Sequence, residues 1–107
     1  RDNNYNYMLW LSKKSMVSFI GYWYMIIKYF SWVKDIVGKS EETISISPDI
    51  DTPEKLIDFL ITRNEQYKKA FSKRATIKVA QNKIYISKST KIKNDDEIAF
   101  FPPVTGG

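Results

Sequence analysis

A single strongly amphipathic helix in the middle of the chain most constrains what this sequence can fold into. Thr52 can cap the helix, Pro53 suits its first turn, and Glu54 lies where the helix dipole favours an acid. Apolar residues recur at helical spacing on one face, at Leu56, Ile57, Phe59, Leu60 and Ile61. The 107 residues are enough for one domain with one modest core. We therefore expect this apolar face to pack across a sheet.

Segments with strand patterns lie on both sides of this helix. The apolar segment 25–30 predicts a strand buried on both faces, and the alternating segment 43–47 predicts a neighbouring strand with one solvent-exposed face. After the helix come two alternating segments, 76–80 and 83–87, and a final strand, 97–101. The order strand-strand-helix-strand-strand-strand predicts an α+β fold, a β-grasp with a mixed sheet of four to five strands packed on one main helix.

Shorter patterns occupy the connections. Residues 32–37 predict a short helix that ends at Gly38, and residues 67–71 predict one more helical turn. Asn94 and Asp95 predict a turn before the final strand, because their short polar side chains tolerate left-handed backbone angles.

The composition excludes several kinds of chemistry. The chain has no cysteine and no histidine, which excludes disulfides, a thiol nucleophile, an imidazole base and an ordinary zinc site. The net charge of +5 is compatible with a nucleic-acid partner. However, most basic residues are lysines interspersed with acids, and the densest cluster lies on the expected exposed face of a helix, at Lys68, Lys69, Lys73 and Arg74. We therefore predict a solvated surface and no nucleic-acid partner.

Residues 1–24 differ in composition from the rest of the chain, with many Asn, Met and aromatic residues. The uncharged run 15–27 has thirteen residues, whereas a membrane-spanning helix needs roughly 20. Lys28 interrupts the run and no small-residue cleavage site follows it, so we expect neither a membrane anchor nor a secretory signal. We interpret 1–24 as an appendage outside the fold and 25–107 as the folded domain, with Met25 as the candidate true start and Met8 and Met16 as alternative starts.

The C-terminal segment predicts a thin, extended tail. Gly106 and Gly107 have no Cβ and can enter a channel too narrow for other residues, while Pro102 and Pro103 hold the preceding chain extended. In the final strand, Phe100 and Phe101 point to opposite faces, so one phenylalanine faces away from the core. Asp95, Asp96 and Glu97 are consecutive at a turn, which predicts a solvated loop rather than a metal or acid-base cluster.

Residues 96–107 read Asp-Glu-Ile-Ala-Phe-Phe-Pro-Pro-Val-Thr-Gly-Gly. This segment closely resembles the C-terminal signature of the small subunit of molybdopterin synthase, the MoaD-like branch of the ubiquitin-like sulfur carriers (MoaD/ThiS family). The resemblance extends upstream to Met25, through the first strand, the first short helix and the start of the main helix. Two positions depart from the family pattern: Lys34 stands where Arg is usual, and Asn94-Asp95 replaces a Gly-Asp turn.

The resemblance implies a sulfur carrier without catalytic side chains of its own, a cytoplasmic protein of molybdenum cofactor biosynthesis. An adenylating enzyme of the ubiquitin-activating type would use ATP, with Mg, to activate the Gly107 carboxylate, and a sulfur donor would convert it to a thiocarboxylate. The tail would then thread into the large subunit, in a heterotetramer, and deliver sulfur to cyclic pyranopterin monophosphate. The expected tail residues are Pro102, Pro103, Val104, Thr105 and Gly106. The expected interface residues are Phe101, as an exposed aromatic anchor, and Lys34. No permanently bound cofactor and no metal are expected.

Four alternatives stay open at this point. The first is a sulfur carrier for thiamine biosynthesis, whose chains are generally shorter and lack the Phe-Phe-Pro-Pro segment. The second is a ubiquitin-like protein modifier joined to target lysines through Gly107. A stand-alone enzyme and a basic nucleic-acid-binding module fit the composition less well.

Overall fold

The described part of the computed structural model is residues 22–103. The helices and short helical turns in it are α1 (Ser31–Val37), α2 (Pro53–Leu60), α3 (Glu65–Ala70) and a 3-10 turn (Arg74–Thr76). Its strands are β1 (Trp23–Tyr29), β2 (Glu41–Ile46), β3 (Lys78–Gln81), β4 (Ile84–Ile86) and β5 (Glu97–Phe101). No helix within this range is long and apolar enough to cross a membrane.

The strands form one mixed five-stranded sheet in the order β2-β1-β5-β3-β4. The central pair, β1 and β5, is parallel, with Tyr29 opposite Phe100. The pairs β1–β2, β3–β5 and β3–β4 are antiparallel. The predicted order of strands along the chain and the predicted mixed sheet of a β-grasp are therefore confirmed, and the sheet has five strands, the larger of the two predicted numbers.

Within residues 22–103, the three α-helices cover one face of the sheet, and no element of this range covers the other face, which we call the open face. Buried side chains of β1 and β5 pack against buried side chains of the helices in a single core. The helix α2 contributes Leu56, Ile57 and Leu60, as its amphipathic pattern predicts. The prediction that the first strand is buried on both faces is wrong, because Ile26 points to the uncovered face and is 38% exposed.

The start of α2 has the predicted chemistry. The Thr52 side chain accepts a hydrogen bond from the Lys55 amide at 3.2 Å, and Pro53 is the first helical residue. The helix ends at Leu60, and Asn64 caps a separate helix, α3, by accepting from two amides. The predicted additional helical turn therefore exists, but it begins earlier than expected, at Glu65.

Several strand boundaries differ from the predictions by one or two residues; β2 begins earlier than expected, at Glu41, and β4 begins later, at Ile84. The third strand begins at Lys78 because the residues before it form the 3-10 turn. The first strand begins at Trp23, and the Tyr24 amide donates to Asn94 Oδ1 at 2.8 Å. Trp23 and Tyr24 therefore belong to the sheet, although they lie before the predicted domain boundary at residue 25.

Left-handed residues occur at the predicted helix end and the predicted turn before β5, and also at a turn that was not predicted, since Lys83 was expected to begin the fourth strand. Gly38 ends α1 with a φ of 92°, and Asp95 precedes β5 with a φ of 72°. Asn82 and Lys83, with φ values of 50° and 73°, form the tight turn between β3 and β4.

Candidate functional site

The fold fixes the direction in which the chain leaves the sheet after β5. This strand lies between β1 and β3, and the Phe30 amide donates to the Phe100 carbonyl oxygen at 3.1 Å. Pro102 is half-buried and Pro103 is exposed. The predicted tail residues Val104, Thr105, Gly106 and Gly107 lie outside the described residues, as does most of the predicted appendage, and their roles stay predictions.

Phe100 and Phe101 occupy opposite faces of the sheet, as the alternation predicts. Phe100 is fully buried and meets Phe71 edge to face, with 5.0 Å between ring centroids. Phe101 faces the open side, where its ring lies 5.2 Å from the ring of Tyr85. Phe101 is therefore only partly exposed rather than a free anchor, because Tyr85 covers one side of it. Tyr85 itself is 71% exposed, and the strand pattern did not single it out.

A shallow depression on the uncovered face, which we call the open-face groove, has a volume of about 320 Å³. Ala80 and Ala99 are paired across β3 and β5, and their small side chains leave room for the depression. The lining side chains are Lys28, Phe30, Ala80, Lys83, Tyr85, Glu97, Ala99 and Phe101. The groove thus combines an apolar floor, three aromatic rings and a charged rim.

The charges at this rim lie close together. Glu97 Oε1 is 3.3 Å from Lys83 Nζ and 3.7 Å from Lys28 Nζ. Two cations share one carboxylate, so the rim carries excess positive charge. Such partly exposed pairs add little stability, and their position beside exposed aromatic rings suits partner recognition better.

The predicted interface residue Lys34 is not part of the open-face groove. It is exposed on α1 and lines a separate depression with Asp35, Gly38, Lys39 and Ser40. The structure therefore does not bring Lys34 and Phe101 into one site.

Asp96 corrects the prediction of a solvated acidic loop. Its side chain is only 2% exposed and accepts hydrogen bonds from Gln81 Nε2 at 2.7 Å, Asn82 Nδ2 at 3.0 Å, and the Lys93 amide and Nζ at 2.8 and 3.1 Å. Burial alone would raise the pKa of this carboxyl, but these hydrogen bonds outweigh burial and lower it. Asp96 therefore fixes the start of β5. Within residues 22–103, no group of three or more acidic side chains is arranged to hold a metal ion.

Glu42 forms a second polar cluster that the sequence did not indicate. Its Oε2 accepts from the hydroxyl groups of Tyr29 at 2.7 Å and Tyr67 at 2.6 Å, and its Oε1 lies 3.2 Å from Arg63 and 3.3 Å from Lys39. Burial opposes ionisation of this carboxyl, but the hydrogen bonds from the two tyrosines and the Lys39 charge lower its pKa overall. The cluster ties β1 and β2 to α3 and supports the fold rather than the site.

A mixed sheet with a central parallel pair, and described helices that pack on one face of it, define a ubiquitin-like β-grasp protein. The family model described as the ThiS family matches residues 27–107. The chain therefore belongs to the ThiS family, and the sulfur-carrier resemblance predicted from the C-terminal segment is confirmed.

The chain is similar to several known proteins of this kind. It is 32% identical over 81 residues, 76% of this chain and 96% of the relative, to the molybdopterin synthase sulfur carrier subunit of Haemophilus influenzae. It is 28% identical to the putative molybdopterin converting factor subunit 1 of Pyrococcus furiosus, with a TM-score of 0.62, covering 77% of this chain and 99% of that one. In a protein-protein complex of subunits 1 and 2 of the molybdopterin-converting factor from Helicobacter pylori, the matched chain has 22% identity and a TM-score of 0.54, covering 78% of this chain and 99% of that chain.

Proposed function

We propose that this chain is the sulfur-carrier small subunit of a molybdopterin synthase and works in the cytoplasm in molybdenum cofactor biosynthesis. The observation that carries the proposal is the union of a β-grasp sheet with a last strand that continues into Phe-Phe-Pro-Pro-Val-Thr-Gly-Gly. The 32% sequence identity to the molybdopterin synthase sulfur carrier subunit of Haemophilus influenzae supports this proposal.

The reacting group is the carboxylate of Gly107. A carboxylate is a poor electrophile because nucleophilic attack would have to expel oxide. An adenylating enzyme of the ubiquitin-activating type joins this carboxylate to the α-phosphate of ATP, which gives an acyl-adenylate and releases pyrophosphate. Sulfur from a donor then attacks the acyl carbon and AMP leaves, so that the chain ends in a thiocarboxylate. The thiocarboxylate is ionised and polarisable at neutral pH, which makes it a strong nucleophile, and no cysteine is required.

The large subunit receives the loaded tail. The Helicobacter pylori complex of subunits 1 and 2 supports a partner of this kind. The small tail residues enter its pocket, where the sulfur is delivered to cyclic pyranopterin monophosphate, within a heterotetramer of two small and two large subunits. The large subunit supplies the acid-base groups, and this chain supplies the sulfur.

The open-face groove offers a reversible contact for these partners. Phe101 and Tyr85 present apolar area beside the tail, and aromatic side chains of this kind commonly carry most of the binding energy at an interface. The tail must leave its partner after each transfer to be reloaded, so a small surface used in turn by both proteins suits the cycle.

The proposal is tested by the intact mass of the chain after incubation with a molybdopterin-type adenylating enzyme, ATP, Mg²⁺ and a sulfur donor. We expect the mass of one oxygen to be replaced by that of one sulfur, and a chain lacking Gly107 to stay unchanged. An unchanged mass, with the enzymes active on another carrier, would contradict the proposal. Loading only by the enzymes of thiamine biosynthesis would favour that pathway, and mass-shifted lysine conjugates in a lysate would favour a protein modifier.

A further inference from the structure

A second depression lies on the helix-covered side of the molecule, where α1 packs against α3. We call it the Trp32 groove; it has a volume of about 340 Å³ and is lined by Trp32, Ile36, Lys69, Ser72 and Lys73. Trp32 is 38% exposed, and Ile36 is a partly buried residue at the edge of the core. The groove is therefore apolar on its α1 side and cationic on its α3 side.

The two lysines of this groove have charge to offer a partner. Within residues 22–103, neither Lys69 nor Lys73 forms an ion pair, whereas Arg74, the residue after Lys73, is paired with two acids. A partly exposed tryptophan beside two unpaired lysines suits a ligand with an apolar side chain between carboxylates, because apolar contact and charge attraction are then both satisfied.

The Trp32 groove lies close to the point where the tail leaves the sheet. Phe30 is hydrogen-bonded to Phe100 in β5, and Trp32 follows Phe30 by two residues. Their Cα atoms are therefore at most about 8 Å apart, since successive Cα atoms are 3.8 Å apart. The open-face groove is on one side of the tail exit and the Trp32 groove is on the other.

We propose that the Trp32 groove docks an acidic segment of the large subunit, the protein that receives the loaded tail. An apolar side chain of that segment packs on Trp32 and Ile36, while its carboxylates face Lys69 and Lys73. The inference rests on the proposed function, since it requires a partner at the tail exit. A partner that contacts both grooves holds the base of the tail from two sides and so fixes the direction in which the tail enters it.

Charge disfavours three other candidate occupants of the Trp32 groove: the N-terminal segment of this chain, a second copy of the chain and a nucleic acid. The segment 1–21 of this chain contains Arg1, Lys13 and Lys14 against a single acid, Asp2, so it is repelled by the two lysines. A second copy of the chain carries a net charge of +5, which opposes association through a basic groove. A nucleic acid is a weaker candidate than an acidic segment, because the lining offers two cations rather than a continuous basic stripe.

The experiment measures the Kd of the full chain for the purified large subunit and for the adenylating enzyme by calorimetry. Lys69→Glu reverses one charge in the groove, and Lys68→Glu makes the same change on the neighbouring exposed residue of α3, outside the groove. We expect Trp32→Ala and Lys69→Glu each to weaken binding of the large subunit about tenfold, and Lys68→Glu to weaken it less than twofold. Thermal unfolding by circular dichroism verifies that each variant is folded.

Several outcomes overturn the inference. Affinities of Trp32→Ala and Lys69→Glu for the large subunit within twofold of the unaltered chain do so, and a loss confined to the adenylating enzyme would assign the groove to that protein instead. An equal loss for Lys68→Glu would indicate unspecific charge attraction and would also overturn the inference. Displacement of the partner by a single-stranded RNA oligonucleotide, with the loss of RNA binding in Lys69→Glu, would assign the groove to nucleic acid instead.

The proposed function fails separately from this inference. If the chain binds both proteins but takes up no sulfur, the carrier role is wrong. The Kd values of the variants then still test whether the Trp32 groove is a docking site. If the chain binds neither protein, the inference and the expected partners are wrong together.

Discussion

The two faces of the sheet are built from the same strands but are organised for different tasks. On the covered face, Phe100 and the rings that pack against it, Tyr29 and Phe71, are buried. The Glu42 cluster joins the strands of this face to α3. On the open face, the paired alanines leave a groove whose aromatic rings and charges stay accessible. Because successive side chains of a strand point to opposite faces, one residue contributes to stability and the next is available for binding a partner. Substitutions at adjacent positions should therefore have very different effects.

The largest expected difference is between two adjacent phenylalanines. Phe100→Ala opens a cavity in the core and should lower the free energy of unfolding by about 3–5 kcal/mol, whereas Phe101→Ala should lower it by about 1 kcal/mol. Chemical denaturation followed by circular dichroism measures both. Phe101→Ala should instead weaken binding of the large subunit. Equal losses of stability would show that the open face also contributes a core and would end the comparison.

Two glutamates on opposite faces of the sheet allow a second comparison, in which the expected changes in the free energy of unfolding are smaller. Glu42→Gln should cost about 1–2 kcal/mol at pH 7 because two hydroxyl groups lose a charged acceptor, whereas Glu97→Gln should cost less than about 1 kcal/mol because its ion pairs are exposed. Denaturation at neutral pH compares the two variants. A larger cost for Glu97→Gln would contradict the assignment of the faces.

The same glutamate gives the chain an acid dependence of stability. The pKa of Glu42 is lowered in the folded state, so its stabilising contribution is fully present above the unfolded pKa of about 4 and is lost as the pH falls through the lower folded pKa. The free energy of unfolding should therefore fall below about pH 5, and less steeply in Glu42→Gln. An unchanged slope in this variant would mean that Asp96, whose pKa is also lowered, accounts for the effect.

The smallest effect is expected where the chain turns into β5. Asp95 has a φ of 72°, an angle that glycine adopts without a Cβ clash, so Asp95→Gly should raise the free energy of unfolding by about 0.5–1 kcal/mol. Asp49→Gly, at an exposed loop position without a positive φ, should not stabilise. Thermal or chemical denaturation of the pair tests this, and a loss of stability in Asp95→Gly would mean that its side chain has a role that its backbone angle does not reveal.

Local chemistry made much of this fold predictable from the sequence. The cap at Thr52, the stop at Gly38, the alternation in β5 and the turn at Asp95 depend on residues only a few positions apart. The exposure of Ile26 was not predictable in this way, because an apolar segment does not reveal whether a second layer will cover it. The family resemblance supplied the tail chemistry, which no periodicity in the chain contains.

The polar contacts of the site were beyond local reasoning. Asp96 is buried because Gln81 and Asn82, fourteen or more positions away, converge on it. Alternation places Glu42 on the same face as Ile44 and Ile46, but it does not show that Tyr67 of α3 donates a hydrogen bond to it. Such contacts combine residues from separate segments, and only the assembled fold shows which side chains meet.

The central position of β5 also affects when the chain can fold during its synthesis. Synthesis proceeds from the N-terminus, so β1 to β4 are made before the strand that must lie between β1 and β3. The β1–β2 pair and the β3–β4 pair cannot join into one sheet until β5 has been synthesised. Folding therefore depends on contacts between distant parts of the chain, which slows it. A nascent chain interrupted before residue 97 therefore lacks the strand that joins β1 to β3 and the buried side chains of Ile98 and Phe100, so we expect it to offer no complete sheet to a partner.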